Sequence, residues 1–482
     1  MIGISAYGGY VPRLRLNRKS IVKEMGWFAP AIASVAQGER SFCNWDEDSL
    51  TMAVAASRDC LTGKEKSAVD AFYLCSTTLP FSDRLNAGIA KTALNLKDEL
   101  QAADFTSTLR AGTTALIHAL SVVRSGDRKQ VLVTAADKRL AKTAHFYEMW
   151  FGDGAASLLV SDTDVIAEFI GSHSVTLDFV DHYRGAENRY DYIWEERWIR
   201  DEGYSKIIPK AITGLLKALS ITMDDVDKLV FPCFFKREHH KIGKELGANS
   251  EKVWDNLHEL CGETGAAHPL LMFVNALEHA SPGERILLAG FGQGCDALYF
   301  RVTDAIKKRP ARSGIHKWLE NKKSVDNYPK FLKFRNLLQT EMGIRAEAPT
   351  QTAMTVLWRK RDMLLGLVGG KCTKCGTPQF PRMDICVNQK CRAVRTQEPY
   401  EFADVPGYVN SFTGDHLIVS VDPPGIYGMI QFEGGGRFMA DFTDCELSDV
   451  RVGQKVAMSF RKRYDDEERG FTGYFWKAVP VP

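Results

Sequence analysis

Four cysteines carry the most specific chemistry in this sequence. Cys372-Thr373-Lys374-Cys375-Gly376 is followed by Cys386 and Cys391. Thiolates in two close pairs are what a tetrahedral zinc ion takes as ligands, and four of them leave no open position for a substrate. Gly376 permits the tight turn that aims the first two sulfurs at one ion. The spacing therefore predicts a structural zinc on Cys372, Cys375, Cys386 and Cys391. The other seven of the eleven cysteines are scattered. That pattern fits buried thiols in a reducing cytoplasm better than a disulfide framework.

A second pattern concerns backbone donors. Phe151-Gly152-Asp153-Gly154-Ala155-Ala156 and Phe291-Gly292-Gln293-Gly294-Cys295-Asp296 each lead into an apolar run of strand length. Each also follows an apolar run, Val131-Leu132-Val133 in one case and Ile286-Leu287-Leu288 in the other. Upstream, Arg110-Ala111-Gly112-Thr113-Thr114-Ala115 is matched by Glu263-Thr264-Gly265-Ala266-Ala267, and both open helical stretches. One α/β unit used twice accounts for this, and a site is expected where the two copies meet.

Composition narrows the partners. The chain has 482 residues, 45% apolar and 25% charged, with net charge +2, values of an ordinary globular protein. Such a charge makes no global case for nucleic acid or an anionic membrane. No run approaches the roughly 18 apolar residues of a spanning helix. Ile2-Gly3-Ile4-Ser5-Ala6-Tyr7 reads as a first strand and not as the basic start of a signal peptide, so a cytoplasmic location is expected. Alternating strand and helix patterns fill residues 1–303. Between Lys307 and Arg335 stand ten Lys and Arg against Glu320 and Asp326. This stretch reads as a solvated linker with amphipathic helices, over residues 304–365, in preference to a phosphate-binding run. Beyond Gly366 short β runs take over, among them Gly407-Tyr408-Val409, Leu417-Ile418-Val419-Ser420-Val421 and Gly473-Tyr474-Phe475-Trp476. Their number and length suit an OB-fold at 401–482 behind a zinc ribbon at 366–400. Residues 367–482 hold 14 Lys and Arg against 15 Asp and Glu, and no basic stripe interleaved with aromatics is visible, which disfavours nucleic acid.

Residues 1–303 resemble the thiolase superfamily, in its hydroxymethylglutaryl-CoA-synthase-like and initiating ketoacyl-synthase branch. The resemblance is carried by Arg110-Ala111-Gly112-Thr113-Thr114-Ala115-Leu116, Phe151-Gly152-Asp153-Gly154, Gly262-Glu263-Thr264-Gly265-Ala266-Ala267 and Ala289-Gly290-Phe291-Gly292-Gln293-Gly294. The C-terminal region resembles the zinc-ribbon/OB-fold partner domain found with such enzymes. The resemblance implies a duplicated αβαβα sandwich, with halves at 1–165 and 166–303. It also implies an acyl-CoA substrate, a homodimer formed through the core, and room for a further enzyme subunit.

The resemblance also assigns seats, and this sequence departs from each. The nucleophilic Cys seat is Leu109, the His seat after Val230-Phe231 is Pro232, the Asn seat is Glu263, and the synthase Glu seat corresponds to Thr77. Leu109 cannot form an acyl-enzyme. Glu263 is the first candidate for a base or acid, His268 the second, and His182 within Asp181-His182-Tyr183-Arg184 the third. A salt-bridged Glu263 and structural histidines are the competing readings. Arg110, Thr77, Cys233, Gly292, Gln293 and Gly294 are expected at the substrate. Cys233 and Cys295 are candidate displaced nucleophiles, although buried cysteines more often pack as small hydrophobes. Asp153 is expected to fix its turn, and Trp194-Glu195-Glu196 to line the acyl pocket or join the core.

The expectation is an acyl-CoA-dependent carbon–carbon bond enzyme of aldol or retro-aldol type, holding an enolate on backbone donors without a Cys acyl-enzyme. The alternatives are a condensing acyltransferase using a displaced Cys, and a catalytically silent acyl-CoA-binding scaffold.

Overall fold

A computed structural model describes residues 1–308, 314–347 and 353–481. Arg309 and Arg312 of the basic stretch lie outside the described residues. The chain divides into two compact units. One holds residues 1–43, 48–87 and 97–337, the other 44–47, 88–96 and 338–482.

The first unit is built on nine strands. They are β1 (Gly3–Tyr10), β2 (Ala71–Cys75), β3 (Gln101–Phe105), β4 (Gln130–Asp137) and β5 (Gly154–Ser161), then β6 (Ala167–Thr176), β7 (Lys228–Val230), β8 (Arg285–Phe291) and β9 (Gly294–Val302). Their order is β3-β2-β4-β5-β1-β6-β9-β8-β7. Reading outward from the β1/β6 junction, the neighbours are β5, β4 and β2 on one side and β9, β8 and β7 on the other. Leu229 bridges Val253 where β2 pairs with β3. The repeat read in the sequence is therefore a repeat of strand order. The inner strands are buried along their length, as expected of near-continuous apolar runs covered on both faces.

Helices repeat as well. Ser49–Cys60 (α1) packs on β1, β4 and β5, as Ser205–Leu219 (α3) packs on β6, β8 and β9. Between the half-sheets lie Ala111–Ser125 (α2) and His268–Glu278 (α4), each touching strands of both halves. This is the αβαβα layering. α2 stops at Gly126, whose φ of +79° is the left-handed conformation glycine adopts without cost.

The halves differ at one hairpin. β8 and β9 are joined through Gly292 and Gln293 alone, whereas β4 and β5 are separated by residues 138–153. Only the second Gly-x-Gly is a tight turn. The stretch expected as a solvated linker is also different in part. Tyr328–Phe334 is an amphipathic helix, as expected, but its apolar face is buried, with Phe331 against Phe42 at 5.2 Å. The Tyr328 hydroxyl donates to Glu148 at 2.9 Å, and buried Arg335 pairs with buried Asp153. Three aromatic and charged anchors, Tyr328, Phe331 and Arg335, make 328–335 part of the first unit.

In the second unit Val368–Cys372 (β10) pairs with Pro378–Gln379 (β11) and Gln397–Glu401 (β12) to form the ribbon. Five strands follow: Gly407–Asp415 (β13), Gly425–Phe432 (β14), Arg437–Asp441 (β15), Lys455–Asp466 (β16) and Phe471–Pro480 (β17). Their order is β15-β14-β13-β16-β17, and a Phe442–Ala478 bridge brings the ends together. Leu417–Val421, expected as a strand, instead lies in the β13–β14 loop with Leu417, Ile418 and Val419 exposed. Apolar alternation alone cannot tell a half-buried strand from an exposed loop. Residues 44–47 belong to this unit through buried ion pairs: Asp46 with Lys477 at 2.9 Å and Glu47 with Arg461.

Candidate functional site

Leu109 sits at the turn into α2 and is buried. Gly292 lies directly over it: a Cβ on Gly292 would stand 2.9 Å from the Leu109 nitrogen and 2.8 Å from that of Arg110. The close approach is why this position is glycine. Thr108 Oγ and Arg110 Nε both donate to the Gly292 carbonyl, at 2.9 and 3.0 Å. Arg110 further pairs with Asp296 at 2.8 Å, and Asp296 accepts from Thr113, Thr114 and Ser174. Arg110, expected at the substrate, is thus spent on fixing the turn. Gly294, with φ +120°, closes the hairpin.

A second carboxylate does the same work from the first half. Asp137, at the end of β4, accepts from Ser76, Thr78, both the nitrogen and hydroxyl of Thr77, and the Ala266 nitrogen. Thr77 is held by Asp137, and the turn leading into α4 is capped by it. Each half therefore supplies a buried aspartate that fastens the helix entrance of the other half.

Glu263 is engaged. Its carboxylate accepts from Arg139 at 3.1 Å and from the Gly265 nitrogen at 3.1 Å. Its backbone is paired to the first half through Trp150 and Gly152, each at 2.8 Å. Arg139 is buried and also pairs with Asp191 at 2.8 Å. Burial works against its charge, but Asp191 and Glu263 hold its pKa above the usual arginine value. Asp191 in turn pairs with Arg184, which donates to the Thr77 carbonyl. Burial opposes ionisation of Asp191, yet Arg139, His182 and Arg184 keep its pKa below the usual range.

His268 uses both ring nitrogens internally, toward Thr264 at 3.3 Å and the Asn256 carbonyl at 2.9 Å, and burial lowers its pKa. His182 differs. Its Nδ1 lies 2.9 Å from Asp181, whose other oxygen accepts from Gln293 at 3.1 Å. Nε2 of His182 has no hydrogen-bond partner among the described residues. Gln293 follows Gly292, so this dyad is tied to the turn that covers Leu109.

Cys233 and Cys295 are buried, and burial pushes both thiols well above the ordinary cysteine range. Sγ of Cys233 points to the Phe235 carbonyl at 3.5 Å, and Sγ of Cys295 to that of Asp296 at 3.7 Å. Neither is placed as a thiolate.

A cleft of about 950 Å³ opens in the same unit. Arg200, Lys236, Arg237 and Lys241 line it together with Glu196, Asp201, Glu238 and Glu259, and Trp150, Phe234 and Phe235 give it an aromatic wall. Trp150 stacks on Phe234 at 4.8 Å, and Tyr204 meets Phe234 at 5.4 Å and Phe291 at 4.7 Å. These contacts lead from the cleft to the residue preceding Gly292. Tyr204 ends a π-helical turn over Ile199–Tyr204, a widening that often marks function. Its hydroxyl has no hydrogen-bond partner among the described residues, and burial raises its pKa, with Cys233, Glu263 and Asp181 adding to the effect. Trp194 and Glu195 are exposed, and Glu196 borders the cleft.

Asp137, Arg139, Asp191 and Tyr204 were not read from the sequence. Asp137 and Arg139 had a signal, a charged run closing an otherwise apolar strand. Asp191 and Tyr204 had none, because a long loop and an irregular helix bring them in.

In the ribbon, the sulfurs of Cys372, Cys375, Cys386 and Cys391 all lie within 4.8 Å of one another. Two of the separations are 3.5 Å (Cys375–Cys386) and 3.9 Å (Cys372–Cys391). A tetrahedron with metal–sulfur bonds of about 2.3 Å places sulfurs about 3.8 Å apart, so the four cysteines fit a zinc ion.

Comparison with known proteins agrees with this description. The family model for the C-terminal part of 3-oxoacyl-[acyl-carrier-protein] synthase III matches residues 216–300, and that for the ChsH2 C-terminal OB-fold domain matches residues 401–461. Crystal structures of an HMG-CoA synthase complexed with CoA (TM-score 0.62, 16% identity) and of 3-oxoacyl-(acyl carrier protein) synthase III from Pseudomonas aeruginosa (0.55, 21%) share the fold. They are matched over 73% and 63% of this chain and 94% and 98% of theirs. Hydroxymethylglutaryl-CoA synthase of Methanopyrus kandleri is 30% identical over 345 residues, 70% of this chain and 98% of the relative. That of Archaeoglobus fulgidus is 30% identical over 70% of this chain and 100% of the relative. The α/β region of this chain thus spans the whole of an established enzyme, followed by an OB-fold that those relatives' lengths leave no room for, and the chain belongs to the hydroxymethylglutaryl-CoA synthase family.

Proposed function

We propose that the protein binds acyl-CoA thioesters and makes or breaks a carbon–carbon bond by aldol or retro-aldol chemistry, with no acyl-enzyme. The observation that carries this reading is the pairing of a filled nucleophile seat, Leu109, with an Asp181–His182 dyad whose Nε2 is uncommitted. The cations of the cleft suit the phosphates of CoA, and its aromatic wall suits the pantetheine arm. Arg237 has no ion-pair partner among the described residues, while Lys236 and Lys241 hold weak surface pairs that a phosphate can replace.

In the cleavage direction, His182 Nε2 takes the proton of a β-hydroxyl. The Cα–Cβ bond then breaks, leaving an aldehyde or ketone and a thioester enolate. The same proton is returned to Cα, giving the shorter acyl-CoA. Asp181 holds the ring in place through Nδ1. We assign to Tyr204, whose hydroxyl has no partner among the described residues, donation to the enolate oxygen, with the backbone around Gly292 framing the site. A zinc ion on the four ribbon cysteines has a structural role. Half-exposed β3 at the sheet edge offers a surface on which a second copy can pair through the core.

The test is a panel of branched β-hydroxyacyl-CoA and β-ketoacyl-CoA thioesters, followed by mass spectrometry of small molecules and intact protein. Release of a short acyl-CoA with a free carbonyl compound and no protein adduct is the expected result. An acyl adduct would transfer the function to a condensing acyltransferase. No turnover and no adduct would leave the silent acyl-CoA-binding scaffold.

A further inference from the structure

The second unit carries a division of charge that the acyl-CoA reading does not use. Residues 371–395 of the ribbon hold six Lys and Arg against one acidic residue, Asp384. The next 41 residues, 396–436, hold six Asp and Glu and no Lys or Arg. Each block also exposes large apolar side chains.

On the ribbon, Met383, Ile385 and Val387 stand at alternate positions, and Val394 is bridged to Ile385 across the hairpin. All four are more than half exposed. Between them Cys386 turns inward to the sulfur cluster. The metal-ligand geometry thus forces the alternate residues outward, with Arg382, Lys390, Arg392 and Arg395 exposed around them. In the barrel, Leu417 (76% exposed), Ile418 and Val419 form the β13–β14 loop, flanked by Asp415 and Asp422. This segment has the β-prone composition of a strand and joins none of the strands of the unit. Contiguous apolar surface with a charged rim is the mark of an interaction site.

We infer that these two surfaces are complementary halves of one interface. The acidic-rimmed Leu417–Val419 loop of one copy of this chain docks on the basic-rimmed Met383/Ile385/Val387/Val394 stripe of a second copy, and reciprocally. Opposite charge selects the occupant: the stripe is bordered by Arg382, Lys390, Arg392 and Arg395 with Asp384 the one acid among them, the loop by Asp415 and Asp422, and both lie on the same chain. A reciprocal contact of this kind is closed by a two-fold axis. The inference is independent of the acyl-CoA reading and stands or falls without it.

The test measures the solution mass of the full-length, zinc-loaded chain by light scattering over a wide concentration range. Wild type is compared with Ile385→Lys and Leu417→Lys. Leu417 lies in an exposed loop remote in sequence from the metal ligands, so its variant keeps the test valid if Ile385→Lys disturbs the ribbon. Each variant is expected to lower the mass twofold at a concentration where wild type is fully associated, whatever the α/β core does. High salt is expected to weaken wild-type association, because exposed charges are screened. An equimolar mixture of the two variants is expected to regain part of the association, since one of the two reciprocal contacts is then intact. Equal masses for wild type and Leu417→Lys would overturn the inference and assign the stripe to a different protein. A loss in Ile385→Lys alone would overturn it as well.

Discussion

The two halves of the α/β unit share a strand order and share a device, and the dyad to which we assign the chemistry lies in the second of them. Asp296 in the second half fastens the entrance of α2, and Asp137 in the first half fastens the turn into α4. Asp296 does so with an arginine partner, Asp137 with hydroxyls and amides. Both carboxylates are saturated, and so is Glu263. The contrast is with Asp181–His182, where one ring nitrogen is held and the other is left open. A buried charge whose acceptors are all taken builds a frame. The half-satisfied pair inside that frame is where the proposed chemistry would take place.

Four perturbations break or sharpen this contrast. The largest effect is expected for His182→Ala. Removal of a general base lowers turnover by about 10²–10⁴-fold, with a far smaller effect on melting temperature, because one ring nitrogen makes no hydrogen bond among the described residues. Parallel kinetics and thermal melts check this, and a matched loss of both would make the dyad part of the frame.

Next come the two aspartates. Asp296→Asn leaves Arg110 without its counter-charge and is expected to cost about 3–5 kcal/mol. Asp137→Asn, which faces only neutral donors, is expected to cost about 1–3 kcal/mol. Denaturant unfolding ranks them, and the reverse order would refute the distinction drawn between the halves.

A pH effect should follow the second half. Burial lowers the pKa of His239 to about 4, that of His258 well below its usual value, and that of His268 as well. A histidine whose folded pKa is depressed leaves the unfolded chain binding more protons once the pH falls below about 6.5. Stability is thus expected to be constant above that pH and to fall from about 6.5 toward 4, by about 1.4 kcal/mol per pH unit for each such group. His239→Gln should flatten the melting-temperature profile in that window. An unchanged slope would show that the proton uptake lies elsewhere.

The smallest effect is expected for Glu263→Gln. Its carboxylate holds Arg139, which keeps Asp191 as a partner, so turnover should fall less than about tenfold. A loss as large as that of His182→Ala would return Glu263 to the role of base.

Much of the frame was legible beforehand. The paired Gly-x-Gly stretches, the matched helix openings and the four cysteines are local patterns, and strand order and sulfur geometry agree with them. The site was legible in part. Its seats were assigned from the family resemblance, which rests on backbone turns that carry sequence signatures. What fills the space around them could not be ranked. Glu263 looked reactive until Arg139 reached it across 124 positions. Asp191 and Tyr204 enter from an irregular loop and a π-helical turn, which have no periodicity to read. The Leu417–Val421 segment failed for the opposite reason: its pattern is strong, but the surface that would bury it is absent from its own sheet.

The central claim is that the frame works without a covalent intermediate, and intact-mass measurement of wild type beside Leu109→Cys tests it most directly. Both would be incubated with the thioester panel during turnover. The account predicts an unmodified wild-type mass throughout and an acyl adduct only where a thiol is placed at the entrance of α2. An adduct on the wild-type chain would contradict it.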